Sequence, residues 1–339
     1  MRAARVCWGM AGFHSGPGPW MTGDAGDRAS GMTGDGARPG RRGPGPKVRH
    51  GGSLTSGDVL SRPAPPPDLV ISYGPGPEHV ADVRLPPRHA GGVPGVAGTS
   101  GPRPAPLMLF LHGGFWRVAY DRAHTGPLAT ALAAAGFVVC VPEFRRTGQR
   151  GGGWPGTFDD VATAVDTLPA LVREAVGAHV IGDGPALLAG HSAGGHLALW
   201  AASRHRLAPD ASWYAPGGQV RGVVALAAVS DMVACHALRL GQGAADALLG
   251  GGPGLHPDRY RLADPMQLLP VGCPVRLVHG SADDRVPCGM SRDYLDRARA
   301  AGDDAELDEL PGSGHFEVID PLSAWWPRVQ AAFTRLASP

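Results

Sequence analysis

Lysine is almost absent: of 31 basic residues only Lys47 is not an arginine. That gap, beside abundant Ala, Gly, Pro and Arg, reads as GC-rich coding. Part of the content of 52 glycines and 34 prolines is then mutational rather than structural. Net charge is lacking too. A formal charge of +1 over 339 residues removes any global electrostatic case for nucleic acid or an acidic membrane surface as partner. No apolar run approaches the roughly eighteen residues that a spanning helix needs. The cysteines are few, odd in number and irregularly spaced (Cys7, Cys140, Cys235, Cys273, Cys288), without a C-x-x-C pair. This argues against a disulfide framework or a zinc site, and scattered thiols suit a reducing compartment. Met1–Met10 carries Arg2 and Arg5 but no apolar stretch of signal-peptide length. A cytoplasmic protein is expected, without cofactor or metal.

What is present is apolar material for a core, 43% of residues against 18% charged. It is unevenly placed. Residues 1–66 hold 15 Gly and 8 Pro, only six Val, Leu and Phe, no Ile, and a formal charge of +5 against −4 for the rest. Such a segment buries too little to offset the entropy of ordering it. It is expected as a disordered tail, dispensable to about residue 60, with a domain at 67–339. From Leu69 onward short apolar runs alternate with helical periodicity. Strands are expected at 107–111, 137–142, 185–189, 223–229, 275–279 and 305–310. Helices fall between them at 125–135, 158–176, 194–203 and 290–301, with a last one at 323–336. Strands apolar throughout that alternate with helices imply a mostly parallel sheet covered on both faces. Residues 70–72 and 80–85 suggest an antiparallel hairpin at its edge. The Gly-rich run 232–269 lacks this rhythm and reads as a small cap inserted after the strand that ends near Asp231.

The strongest local signal is Gly190-His191-Ser192-Ala193-Gly194, a G-x-S-x-G between an expected strand and an expected helix. Its glycines suit a turn too tight for side chains, which lifts the serine oxygen to the C-terminal edge of the sheet. A serine needs a base, and the base an orienting carboxylate. After such an elbow the acid and then the histidine follow in chain order. Of 14 histidines, His315 sits in the Gly-rich loop Pro311–Phe316 between the last strand and the last helix. His112 and His191 lie within turns, His196 in a helix and His279 at a strand end. The acid is Asp283 or Asp284, both just after the strand 275–279; Asp283, three residues before Val286-Pro287, is preferred, with Asp231 as an outside alternative. His112-Gly113-Gly114-Phe115-Trp116 follows the first buried strand. Its N–H groups at Gly114 and Phe115, with that of Ala193, could bind a developing oxyanion.

Together these residues resemble the α/β-hydrolase superfamily over roughly 69–336. HGGFW at 112–116 is similar to the H-G-G-x-W motif of the kynurenine formamidase (arylformamidase) branch and its carboxylesterase neighbours. Residues 71–74, 143–146, Trp154–Gly156 with Asp159 and Asp160, and 190–195 look like the same branch. Phe115 stands where the hormone-sensitive-lipase-like branch has a third glycine. The resemblance implies Ser192, Asp283 and His315 as a triad that hydrolyses a small ester or an arylformamide without cofactor. A peptidase and a non-catalytic binding protein on the same fold are the remaining alternatives. The expected partner is a small molecule, with no nucleic acid and no membrane; a homodimer is the assembly considered. Leu238, Leu240, Leu248, Leu249, Leu255 and Leu262 in the run 232–269, broken up by Arg239, Asp246, Asp258, Arg259, Arg261 and Asp264, offer no lipase-like apolar surface. Short acyl chains are therefore expected, as is activity that falls at acid pH as a histidine base protonates.

Overall fold

The computed structural model describes residues 56–87 and 104–337. Among these, eight strands form one sheet: β1 (Leu69–Ser72), β2 (Val80–Arg84), β3 (Leu107–Leu111), β4 (Val138–Pro142), β5 (Ala186–His191), β6 (Val220–Leu226), β7 (Val275–Gly280) and β8 (Ala305–Leu310). Their spatial order is β1-β2-β4-β3-β5-β6-β7-β8. β2 runs antiparallel to both its neighbours, and all other pairs are parallel. This is the α/β-hydrolase arrangement, with the hairpin at the edge as expected.

The buried strands show why a continuous apolar run was the right signal. Leu107, Leu109 and Leu111 of β3 enter one core, while Met108 and Phe110 enter the other. Alternate side chains leave opposite faces, so a strand covered on both sides must be apolar at every position. One cover contains the helices Gly156–Val176 and Ala193–Ala202, bringing Phe158, Leu168, Leu197 and Trp200. The other contains Gly126–Ala134 and Trp326–Ala337; the latter buries Val329, Ala332, Phe333 and Leu336, one face of a helix. The expected strand 223–229 stops at Leu226, because Ala227 turns to a φ of 45° and leaves the extended region. The segment 232–269 folds into three short helices, Met232–Ala237, Leu240–Leu249 and Pro257–Ala263.

The expected tail boundary at 66 is corrected. Residues 56–66 belong to the folded body: Ser56–Leu60 is a helical turn, and Val59 is buried in the core that holds Phe110 and Phe333. Arg62 pairs with the buried Asp320 at 2.8 Å, and Arg84 donates to the Pro66 carbonyl at 3.1 Å. Composition averaged over 66 residues cannot register one apolar anchor and one ion pair. Residues 1–55 lie outside the described residues.

Candidate active site

Ser192 stands between β5 and the helix Ala193–Ala202, at φ 56° and ψ −119°. A non-glycine residue there is strained, and the surrounding glycines make the turn feasible. A Cβ at Gly190 would lie 2.2 Å from the Gly194 oxygen, and one at Gly194 would lie 2.0 Å from the Leu111 oxygen. The serine backbone is held on both sides: its N–H donates to Leu226 (2.8 Å), and its carbonyl accepts from His196 (3.1 Å) and Val229 (3.2 Å). The Ala193 N–H begins the helix, where no intrahelical acceptor exists and negative charge is favoured.

Asp283 and His315 are brought together across the ends of β7 and β8. His315 Nδ1 donates to Asp283 Oδ2 at 2.7 Å, and both side chains are buried. The close approach requires glycine at 280, where a Cβ would lie 2.2 Å from the Ser313 oxygen. His191, the residue before the serine, donates from Nε2 to the His315 carbonyl at 2.9 Å, and the two rings lie 4.6 Å apart. The elbow and the histidine loop are thus joined at the same sheet edge. Burial, with the His315 ring beside it, holds His191 far below its usual pKa and so neutral.

Asp283 Oδ1 accepts the N–H groups of Arg285 and Val286, both at 2.8 Å. Burial opposes its ionisation, but the hydrogen bonds from His279 and His315 outweigh burial and keep the carboxyl well below its ordinary range. The neighbouring Asp284 is exposed beside Arg285, 3.4 Å away. Asp231 is committed elsewhere, capping the helix Met232–Ala237 through the Ala234 N–H at 2.7 Å.

The loop 112–116 lies against the elbow: a Cβ at Gly113 would be 3.3 Å from Ser192 Cβ and 2.8 Å from His191 Nδ1. Gly114, Phe115 and Trp116 all have positive φ, which turns successive N–H groups the same way round. Among the described residues, neither the Gly114 nor the Phe115 N–H donates to a protein acceptor. Trp116 is fully buried beneath the loop, edge-on to His196. Phe115 packs on Gly241 of the cap, and Arg117 donates to the Gly241 carbonyl.

In the sequence Glu143 is only one residue of the stretch 143–146; in the structure it supports this loop. Its carboxylate receives His112 Nε2 (2.8 Å), the Phe144 N–H (3.1 Å) and the Arg122 N–H (3.1 Å), and Arg146 lies 3.4 Å away. Burial would raise the Glu143 pKa, yet these partners lower it to about 2. Arg145 is also structural: it chelates the buried Asp160, which bonds His79 as well. Among the described residues no group of three or more His, Cys, Asp or Glu side chains is arranged to hold a metal ion, and no helix is long and apolar enough to cross a membrane.

The model of the BD-FAE family matches residues 97–297. The chain belongs to the BD-FAE family. Its relatives include esterase LipC of Mycobacterium tuberculosis, 30% identical over 230 residues, which are 64% of this chain and 55% of LipC. Kynurenine formamidase of Salmo salar is 23% identical over 255 residues, covering 75% of this chain and 76% of that enzyme. This BD-FAE chain spans a little over half the length of the first curated relatives it matches. Among solved structures, a truncated carbohydrate esterase from gut microbiota superposes with a TM-score of 0.62 at 20% identity, over 79% of this chain and 95% of that one. At that identity the likeness concerns the fold.

Proposed function

We propose that this chain is a serine hydrolase of small carboxylic esters. The observation that carries this is the 2.7 Å bond from His315 Nδ1 to the buried Asp283, at the sheet edge where the strained elbow presents Ser192. With Nδ1–H committed to Asp283, neutral His315 carries its lone pair on Nε2, the atom that would take the Ser192 proton. Ser192 Oγ attacks the ester carbonyl carbon, and the carbonyl oxygen becomes an oxyanion. That oxyanion falls to the N–H groups of Gly114, Phe115 and Ala193, each such donor being worth about 100-fold or more in rate. Imidazolium His315 returns the proton to the departing alkoxide, leaving an acyl ester on Ser192. Water, deprotonated by the same histidine, then releases the acid and restores the serine. The esterase relatives support the chemistry. The four free thiols among the described residues support a reducing, cytoplasmic setting.

A second substrate class follows from a specific observation. The kynurenine formamidase relative is matched over most of its own length, and HGGFW is similar to that branch's motif. An arylformamide would use the same steps, with an aryl amine as leaving group. A hydrolysis panel of p-nitrophenyl acetate, longer acyl esters and N-formylkynurenine distinguishes the two. Ser192→Ala controls it: the variant should fold and take up no fluorophosphonate probe, and labelling that persists would remove Ser192 as the nucleophile.

A further inference from the structure

A second histidine sits on the proposed catalytic acid. His279, the penultimate residue of β7, has no solvent exposure. Its Nε2 lies 3.1 Å from Asp283 Oδ2 and 2.9 Å from the Val286 carbonyl. Its Nδ1 lies 2.7 Å from the buried Ser291 hydroxyl. Both groups facing Nε2 are acceptors, so Nε2 must carry a proton. In the neutral ring Nδ1 is then an acceptor, filled by the Ser291 O–H. The two acceptors thus select the tautomer, the Ser291 hydroxyl completes it at Nδ1, and the tautomer supplies the second donor to the carboxylate oxygen that His315 uses. In the sequence His279 reads as a strand end, and the triad mechanism does not call on it.

We propose that His279, fixed by Ser291, is a positioning residue: it locks the Asp283 carboxylate in the rotamer that receives His315 and shares the negative charge of Oδ2. It never reaches substrate. The inference rests on the assignment of Ser192, His315 and Asp283. Two effects follow when this donor is lost. Asp283 is held by one fewer bond, so His315 is aimed less well and acylation slows. The charge on Oδ2 also falls more fully on His315, which favours its protonated form, so the acid limb of activity moves to higher pH. The other titratable groups around the pair are His191, ring to ring with His315, and Glu317, which accepts the Gly314 N–H. Cys288 also interacts electrostatically with Asp283, and Glu309, paired with Arg292, with His279. None of these occupies the Nε2 position of His279.

The test uses the full chain and needs no knowledge of the natural substrate. The rate of Ser192 labelling by a fluorophosphonate is followed against pH for wild type, His279→Phe, His279→Gln and Ser291→Ala, with p-nitrophenyl acetate kinetics and melting temperature alongside. His279→Phe should slow labelling and kcat by about tenfold or more, the scale of lost outer hydrogen-bond partners, with KM within about twofold. Its acid limb should shift upward. His279→Gln, which restores an N–H donor, should recover much of the rate. Ser291→Ala should shift the limb the same way by a smaller amount, and it decides the matter if His279→Phe does not fold. A merely structural histidine would lower the melting temperature and leave the limb in place. Wild-type labelling at Ser192 with an unmoved limb in the variants overturns this inference alone. Absence of Ser192 labelling in the wild type overturns the triad and the inference together.

Discussion

Replacing Asp283 by asparagine changes almost no volume and reverses one hydrogen-bond polarity, which makes it a sharp probe of the site. Asp283 receives four N–H groups: Arg285 and Val286 at 2.8 Å on Oδ1, His315 at 2.7 Å and His279 at 3.1 Å on Oδ2. An asparagine can keep the first two with its carbonyl oxygen. Its NH2 then faces two ring N–H groups. His315 can relieve the conflict by moving its proton to Nε2, but in that tautomer it cannot accept the Ser192 proton. His279 cannot follow, because its Nε2–H also serves the Val286 carbonyl at 2.9 Å. The unrelieved contact should cost about 1–3 kcal/mol of stability. The wrong tautomer should cost about 10³–10⁴ in kcat/KM, which at about 1.4 kcal/mol per decade is roughly 4–5.5 kcal/mol of transition-state binding. The assay is p-nitrophenyl acetate hydrolysis and fluorophosphonate labelling near neutral pH, with a thermal melt to show that the variant folds. A folded variant keeping more than about a tenth of wild-type kcat/KM would refute the tautomer argument. Linkage adds a check. The folded-state pKa of Asp283 lies below the unfolded value of about 4, so its stabilisation is complete above about pH 4 and is lost as pH falls further. The difference in melting temperature between wild type and variant should narrow below that pH.

Gly194→Ala would place a Cβ 2.0 Å from the Leu111 oxygen and 2.6 Å from the His112 oxygen; a urea melt should show a loss of at least about 3 kcal/mol, and a wild-type melt would contradict the elbow geometry. A chain beginning at Ser61 loses the buried Val59, worth about 1.5–2 kcal/mol, and its melting temperature should fall by several degrees; an unchanged value would mean that the segment only rests on the surface. Burial, with Asp231 nearby, raises the pKa of Asp264 to about 6, so the folded state binds the proton more tightly and stability falls as pH rises from about 4 to 6. Asp264→Asn keeps one acceptor for the Met232 and Met266 N–H groups and should raise stability at neutral pH by about 1–3 kcal/mol; a lower melting temperature at neutral pH would show that the charge is needed. Among p-nitrophenyl esters, kcat/KM should peak at about two to four acyl carbons and drop about tenfold or more by eight, equivalent to roughly 1.4 kcal/mol of lost transition-state binding. An optimum at eight carbons or longer would remove the small-pocket argument.

Much of this architecture could be read before any coordinates because the sheet is buried on both faces. Leu107–Leu111 and Ala305–Leu310 fall on the expected bounds, and most other elements agree within two or three residues. The elbow and the histidine loop are legible because their tight backbone turns depend on glycines at fixed positions beside a Ser or a His. Glu143 and His279 stayed hidden for the opposite reason. Glu143 follows β4 and reaches back to a loop 31 residues earlier in the chain; His279 is next to last in β7 and turns to Asp283. Neither sits in a motif whose backbone demands it. Their roles come from tertiary proximity at the strand ends, which periodicity cannot supply. The segment 56–66 reads as tail because its one deep anchor, Val59, is outweighed by the composition around it.

The strained backbone has the same geography. The non-glycine residues with positive φ among those described are Phe115, Trp116, Ser192, Ala227, Arg239 and Gln242. Two lie in the loop beside the elbow, one is the elbow serine, and one ends β6 beside it. The last two flank Gly241, which Phe115 packs against. Such conformations cost about 1–3 kcal/mol each and persist only where their surroundings over-determine them. The restraints are identifiable. The Ser192 backbone is bonded through both its N–H and its carbonyl, and the Ala227 N–H donates to Val278 at 2.8 Å. The loop 112–116 is held by His112 on Glu143 and by Arg117 on the cap. Strain concentrated at one sheet edge and resisted by buried hydrogen bonds is what a preorganised oxyanion site requires, since donors that relaxed onto protein carbonyls could not meet a developing charge. In the function proposed above, the place of Glu143 is structural: it anchors His112, next to the Gly113 and Gly114 of that loop, and touches no substrate.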